Sequence, residues 1–76
     1  MRATYYVYDN DLSVFDGDTT TWLVVHETMD QGSKFIDHLD YELVINGFRR
    51  SGDWRSLDSD DAGCITIMEC PIGRLS

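Results

Sequence analysis

The chain has 76 residues, enough for one domain, and sets 14 acidic residues against six Lys and Arg, for a net charge of −8 and a pI near 4.3. That balance repels phosphate backbones and anionic lipid, so neither direct nucleic-acid binding over a broad face nor membrane association is expected. A hydrophobic fraction of 42% with 12% aromatics separates the chain from disordered acidic tails, which lack aromatics.

Eleven of the acids are Asp and three are Glu. Asp is the shorter carboxylate and favours turns and caps. A chain this short buries only roughly 60% of its unfolded surface, which leaves little core for a deep catalytic cavity. Apolar runs are short, such as Leu23-Val24-Val25 and Leu43-Val44-Ile45, far below a membrane span. Residues 1–10 show neither the apolar segment nor the cleavage site of a secretory signal. Cys64 and Cys70 are the two cysteines. On one strand their Cα atoms would lie about 20 Å apart at ~3.3 Å per residue, too far for a disulfide. Reduced thiols and a cytoplasmic location are the expectation.

Residues 3–8, rich in β-branched and aromatic side chains, predict a strand. Asp9-Asn10-Asp11 is a turn signal, residues 12–15 are a short strand or loop, and Asp16-Gly17 has the composition of a tight hairpin turn. Residues 19–27 predict a second strand, with Trp22, Val24 and His26 on one face and Leu23, Val25 and Glu27 on the other. Ser33 is a good N-cap, and Phe35, Ile36, Leu39, Leu43 and Val44 recur at helical spacing, with Asp37, Asp40 and Glu42 off that stripe. Gly47 suits a helix-ending C′ position. Ser51-Gly52-Asp53 reads as a turn, residues 54–57 as an extended segment, and residues 59–63 as a polar turn. Cys64–Glu69 is a strand that Pro71 is expected to close. The pattern predicts an α+β fold: a small antiparallel sheet of three to five strands with one amphipathic helix, about 33–46, packed on one face.

Four groups of residues carry possible chemistry. Asp58, Asp60, Gly63 and Glu69 fall at positions 1, 3, 6 and 12 of the EF-hand pattern across residues 58–69, but Ala62 stands where a third oxygen ligand is required and no paired loop exists. An acidic turn feeding a strand is the plainer reading. His26, His38, the cysteines and the serines form no recognisable nucleophile elbow, P-loop, HExxH or CxxC, so no catalysis and no cofactor are expected. His38 and Glu42 are spaced for an i,i+4 contact. Arg49, Arg50 and Trp54 belong to an arginine–aromatic group that suits either a binding hot spot or internal ion pairing.

The acidic residues are the fourth group. Residues 1–47 hold nine acids against Arg2 and Lys34, net −7, and residues 48–76 hold five acids against four arginines, net −1. Rigid carboxylates can stand in for phosphates in a basic groove. In size, acidity and lack of a catalytic motif the chain is similar to the small acidic phage-encoded inhibitors, among them anti-CRISPR and anti-restriction proteins. That likeness implies a non-enzymatic inhibitor that mimics phosphate or DNA and binds a basic nucleic-acid-binding protein. The expected contacts are Asp9, Asp11, Asp16 and Asp18 around the hairpin, Asp37 and Asp40 on the helix, and Trp54, Arg49 and Arg50. An interaction module working through Tyr5, Tyr6, Tyr8, Trp22 and Trp54, or pairing as a homodimer through an edge strand, is the alternative. A weak calcium module at 58–69 is the third.

Overall fold

The computed structural model describes residues 1–23, 25 and 35–75, with residues 35–37 described for backbone alone. Within these residues the chain forms six strands and one helix: β1 (Arg2–Tyr6), β2 (Asp11–Asp16), β3 (Thr19–Leu23), α1 (Phe35–Ile45), β4 (Phe48–Arg50), β5 (Arg55–Ser59) and β6 (Ile65–Arg74). The sheet is antiparallel in the order β3-β2-β1-β6-β4, with β5 also paired to β6. The sheet is thus larger than the three to five strands expected. The ambiguous segment 12–15 lies in a strand flanked on both sides, and the segment after the helix supplies β4.

Two hairpins build the first half. Tyr6 pairs with Asp11 across a four-residue loop in which Asn10 takes φ +55°. Asn tolerates the left-handed region better than most residues. The buried Tyr5 hydroxyl donates to Asn10 Oδ1 and fastens this loop to the sheet. The β2–β3 turn is centred on Gly17-Asp18, one residue later than Asp16-Gly17, because Asp16 pairs with Thr19. Gly17 has φ +62° while Asp18 stays negative, the pattern of a II′ hairpin that takes Gly first.

Alternation along the strands sorts the side chains. Ala3, Tyr5, Leu12, Val14, Met68 and Cys70 are cross-strand partners on one face, Ile72 follows Cys70 by alternation along β6, and all form a single buried cluster with Leu39, Leu43 and Phe48. The helix therefore covers that face. Burying such apolar surface is worth roughly 25 cal/mol per Å². Gly47, at φ +90°, ends the helix, and its N–H donates to the Val44 carbonyl.

The helix stripe differs from its hydropathy pattern. Glu42 is fully buried, while Val44 and Ile45 are about half exposed. At 100° per residue, Glu42 lies about 80° from the middle of Leu39 and Leu43 and Val44 about 120° away. Angle placed Glu42 inward against its polarity. His38 Nε2 sits 3.4 Å from Glu42 Oε1, the expected i,i+4 contact. Ser33 and His26 lie outside the described residues, as does most of the predicted strand beyond Leu23.

Pro71 does not close β6, which runs three residues further. A residue's N–H and C=O share one edge of a strand. The Pro71 carbonyl accepts from Ser51 N–H, on the β4–β5 side. The missing proline N–H therefore falls in the gap between Arg50, which pairs with Ile72, and Arg55, which pairs with Glu69. No ladder bond is lost there. Residues 51–54 bridge the gap as a bulge, and Gly52 presses so close to the proline ring that a Cβ would lie 2.6 Å from Pro71 Cγ.

Candidate functional site

The strand directions divide the nine residues singled out from sequence. Asp11 and Asp16 open and close β2, five steps or about 17 Å apart. Asp9 and Asp11 sit at the β1–β2 end of the sheet, whereas Asp16 and Asp18 sit at the β2–β3 end. They are not one patch. Arg74 Nη2 lies 2.9 Å from Asp16 Oδ2, so the second group is partly neutralised.

The acids that join Asp9 and Asp11 come from the other half of the sequence. The β5–β6 turn lies beside the β1–β2 loop because β6 pairs with β1, and Val7 N–H donates to the Thr66 carbonyl at 3.0 Å. The Tyr8 hydroxyl donates to Asp60 Oδ2 and ties the two loops together. Asp60 Oδ1 accepts the backbone N–H groups of Ala62 and Cys64, which fixes the turn. These bonds, that from Tyr8 foremost, hold the Asp60 carboxyl below its usual range and push the Tyr8 hydroxyl up. Asp9, Asp11, Asp58, Asp60 and Asp61 thus collect at one end of the sheet, and segments 7–11 and 58–64 contain no Lys or Arg.

Asp40, expected to face a partner, pairs with Arg50, for which internal ion pairing was one of the two expectations. Arg50 Nη2 donates to Asp40 Oδ2 at 3.0 Å, and its Nε lies 2.9 Å from Asp40 Oδ1 as an electrostatic contact without hydrogen-bond alignment. The Trp54 indole N–H donates to the same Oδ1 at 3.2 Å while its ring packs on the core. Asp40, Arg50 and Trp54 therefore form an internal network that staples α1 to the 51–54 bulge. Arg49 is exposed. The side chain of Asp37 lies outside the described residues.

The aromatic group divides as well. Tyr5 is buried and Trp54 is engaged, so neither offers binding surface. Tyr6 and Trp22 lie on the sheet face opposite the core, with ring centroids 5.8 Å apart and Trp22 59% exposed. On the same face Arg2 stacks on Phe15 at 4.6 Å, and Arg2 and Arg55 both reach Glu69.

That placement removes the EF-hand geometry from 58–69. Glu69 stands mid-strand against two arginines, four extended residues or about 13 Å beyond Ile65. Asp60 is occupied by its own turn, and no metal-binding group of three His, Cys, Asp or Glu occurs among the described residues.

Cys64 is exposed and Cys70 buried, both as free thiols. Burial pushes the Cys70 thiol up to about 12, so it stays neutral and inert. No helix among the described residues is long and apolar enough to cross a membrane. Comparison with protein-family models, curated proteins and solved structures gives no match.

Proposed function

We propose that the chain is a non-enzymatic binding protein whose acidic end engages the basic surface of a nucleic-acid-binding protein, in the manner of a small phosphate-mimicking inhibitor of the anti-CRISPR or anti-restriction kind. One observation carries the reading: Asp9, Asp11, Asp58, Asp60 and Asp61 stand on two adjacent loops and the strand ends that flank them, tied together by the Tyr8–Asp60 hydrogen bond. Preformed, closely spaced carboxylates oppose a cationic groove without first having to be ordered.

The test is affinity capture from lysate, eluted by a salt gradient. The parent chain releases its partner between low and moderate salt, as the Debye length falls from about 30 Å at 0.01 M to about 10 Å at 0.1 M. The combined Asp9→Asn, Asp11→Asn and Asp61→Asn variant captures little. The Asp16→Asn, Asp18→Asn variant, altered at the other end of the sheet, retains the partner. If both variants behave alike, the acidic end is not the contact.

A second reading rests on the exposed Trp22 stacked near Tyr6. It makes the open sheet face an aromatic interface, or β3 an edge for pairing with a second copy. That interface resists salt and is lost on Trp22→Ala.

A further inference from the structure

Arg2 and Arg55 converge on one carboxylate, Glu69. Arg55 donates from Nε to Oε1 at 2.9 Å and again from Nη2, while Arg2 Nε lies 3.7 Å from Oε2. The other paired arginines among the described residues each meet at least one acid of their own. Arg74 has Asp16, and Arg50 has both Asp40 and Asp53 within 4 Å. In a chain with more than twice as many acids as bases, this is a place where cations outnumber the anion they meet. Beside them opens a hollow of about 380 Å³ lined by Met1, Arg2, Arg55, Glu69, Cys70 and Pro71, within the size range of small-ligand clefts.

The cations are also held in place. Glu69 is only 12% exposed and acts as a buttress between them, and the Arg2 guanidinium rests on Phe15. Arg2 approaches Glu69 through Nε at 3.7 Å, so the Arg2 guanidinium is not tied into a hydrogen-bonded fork by that carboxylate. Planar guanidinium forks match phosphate oxygens in pairs.

We propose that the hollow between Arg2 and Arg55 is a binding site for a dianionic phosphate group, either free phosphate or a phosphomonoester. Glu69 serves as the positioning residue that spaces the two forks. The site lies on different residues from the acidic end and does not depend on it.

The test titrates the 15N-labelled chain at constant ionic strength with inorganic phosphate and, separately, with a phosphoserine tripeptide, following the arginine Nε–Hε resonances. Inorganic phosphate saturably shifts Arg2 and Arg55, with a dissociation constant of roughly 1–10 mM, the range that two charge-assisted contacts on an exposed surface support. Arg74, equally exposed but matched by Asp16, does not follow. Arg55→Lys, which keeps the charge and loses the fork, weakens binding about fivefold, and Arg2→Ala with Arg55→Ala abolishes it. The near-ultraviolet circular dichroism of Trp54 and Trp22 checks that these variants are folded. Tighter binding of the peptide identifies a phosphorylated side chain as the source, and equal or weaker binding identifies a free phosphate. Linear shifts without saturation in both titrations, equal movement of Arg74, or unchanged binding by the folded double variant overturns the proposal.

Discussion

Replacing Gly52 by Ala tests the structure at the bulge that lets β6 run through Pro71. The added Cβ would lie 2.6 Å from Pro71 Cγ and 3.2 Å from Cδ. Carbon atoms pack best at about 3.5–4.0 Å, so the shortfall is about an ångström. The proline ring cannot fold away, and both backbones are tied by the Ser51 N–H bond to the Pro71 carbonyl at 2.9 Å. Overpacking of this kind costs about 1–3 kcal/mol. The lower unfolded-state entropy of Ala returns about 0.4–1 kcal/mol, leaving a net loss near 1–2 kcal/mol. A domain of this length holds about 4–11 kcal/mol in all, so Tm falls by roughly 5–15 °C. Urea unfolding followed by tryptophan fluorescence measures the loss. Two comparisons isolate the contact. Gly73→Ala meets no atom within 4 Å and is neutral or slightly stabilising. Pro71→Ala removes the obstructing ring, so a double-mutant cycle with Gly52→Ala shows coupling of about 1 kcal/mol or more. Equal effects at Gly52 and Gly73, or strict additivity with Pro71→Ala, would refute the bulge argument.

Three further outcomes follow from the same geometry. A thiol reagent modifies one cysteine in the native chain and two in denaturant, the first being Cys64, because Cys70 is buried and its thiol stands near 12; two fast native reactions contradict the packing. The folded Asp60 carboxyl titrates below its unfolded value, so its contribution is present above the ordinary carboxylate range and is lost as pH falls through the depressed folded value. Tyr8→Phe removes the leading cause, and carboxyl-carbon NMR then finds Asp60 titrating closer to the ordinary value; no movement removes the loop tie. Arg50→Ala leaves Asp40 part-buried with the Trp54 indole as its one remaining donor, costing about 1–2 kcal/mol in urea unfolding, and a loss below ~0.3 kcal/mol would reduce the network to a surface pair.

Local pattern carried much of the fold. The cross-face split of Trp22 and Leu23, the helix around Leu39 and Leu43, its Gly47 terminator, and the His38–Glu42 spacing are all set by neighbours within five residues. The strand around Leu12 and Val14 was harder, because the interior of a sheet buries alternate residues on both faces and Ser13 is buried too. Pro71 misled because its tolerance depends on a gap between two strands far away in sequence. The site suffered most from this. A charge count by sequence halves assigned Asp58, Asp60 and Asp61 to the near-neutral remainder, whereas pairing of β6 with β1 sets them beside Asp9 and Asp11. Asp40 was read as facing a partner and Arg50 as either a binding contact or an internal ion pair; ten residues apart, they face each other. No local signal distinguishes a carboxylate that meets a guanidinium across the fold from one that meets water.

The resulting polarity has a topological cause and a residue left over that topology does not explain. Hairpin turns alternate between the two ends of a meander, and Asp is a favoured turn residue. The β1–β2 and β5–β6 turns share one end because β6 runs antiparallel to β1, and the β2–β3 turn takes the other. Turn preference therefore accounts for aspartates at both ends, and Asp16 and Asp18 at the second end agree with that. It does not account for the arginines. Arg2 opens β1, Arg74 closes β6, Arg49 and Arg50 lie in β4, and Arg55 opens β5, so all five stand toward the end opposite Asp9 and Asp60. Arg carries no turn preference that would keep it from the loops of the first end. A chain selected for solubility alone needs its charge interspersed, not sorted. Among the described residues, sorting leaves one end with five carboxylates and no Lys or Arg, and the other with arginines that meet acids across the fold, Arg2 and Arg55 sharing Glu69. Among the described residues, five carboxylates without an arginine beside them thus gather at one end of the sheet, which is the place where the proposed charge-reading interaction would approach.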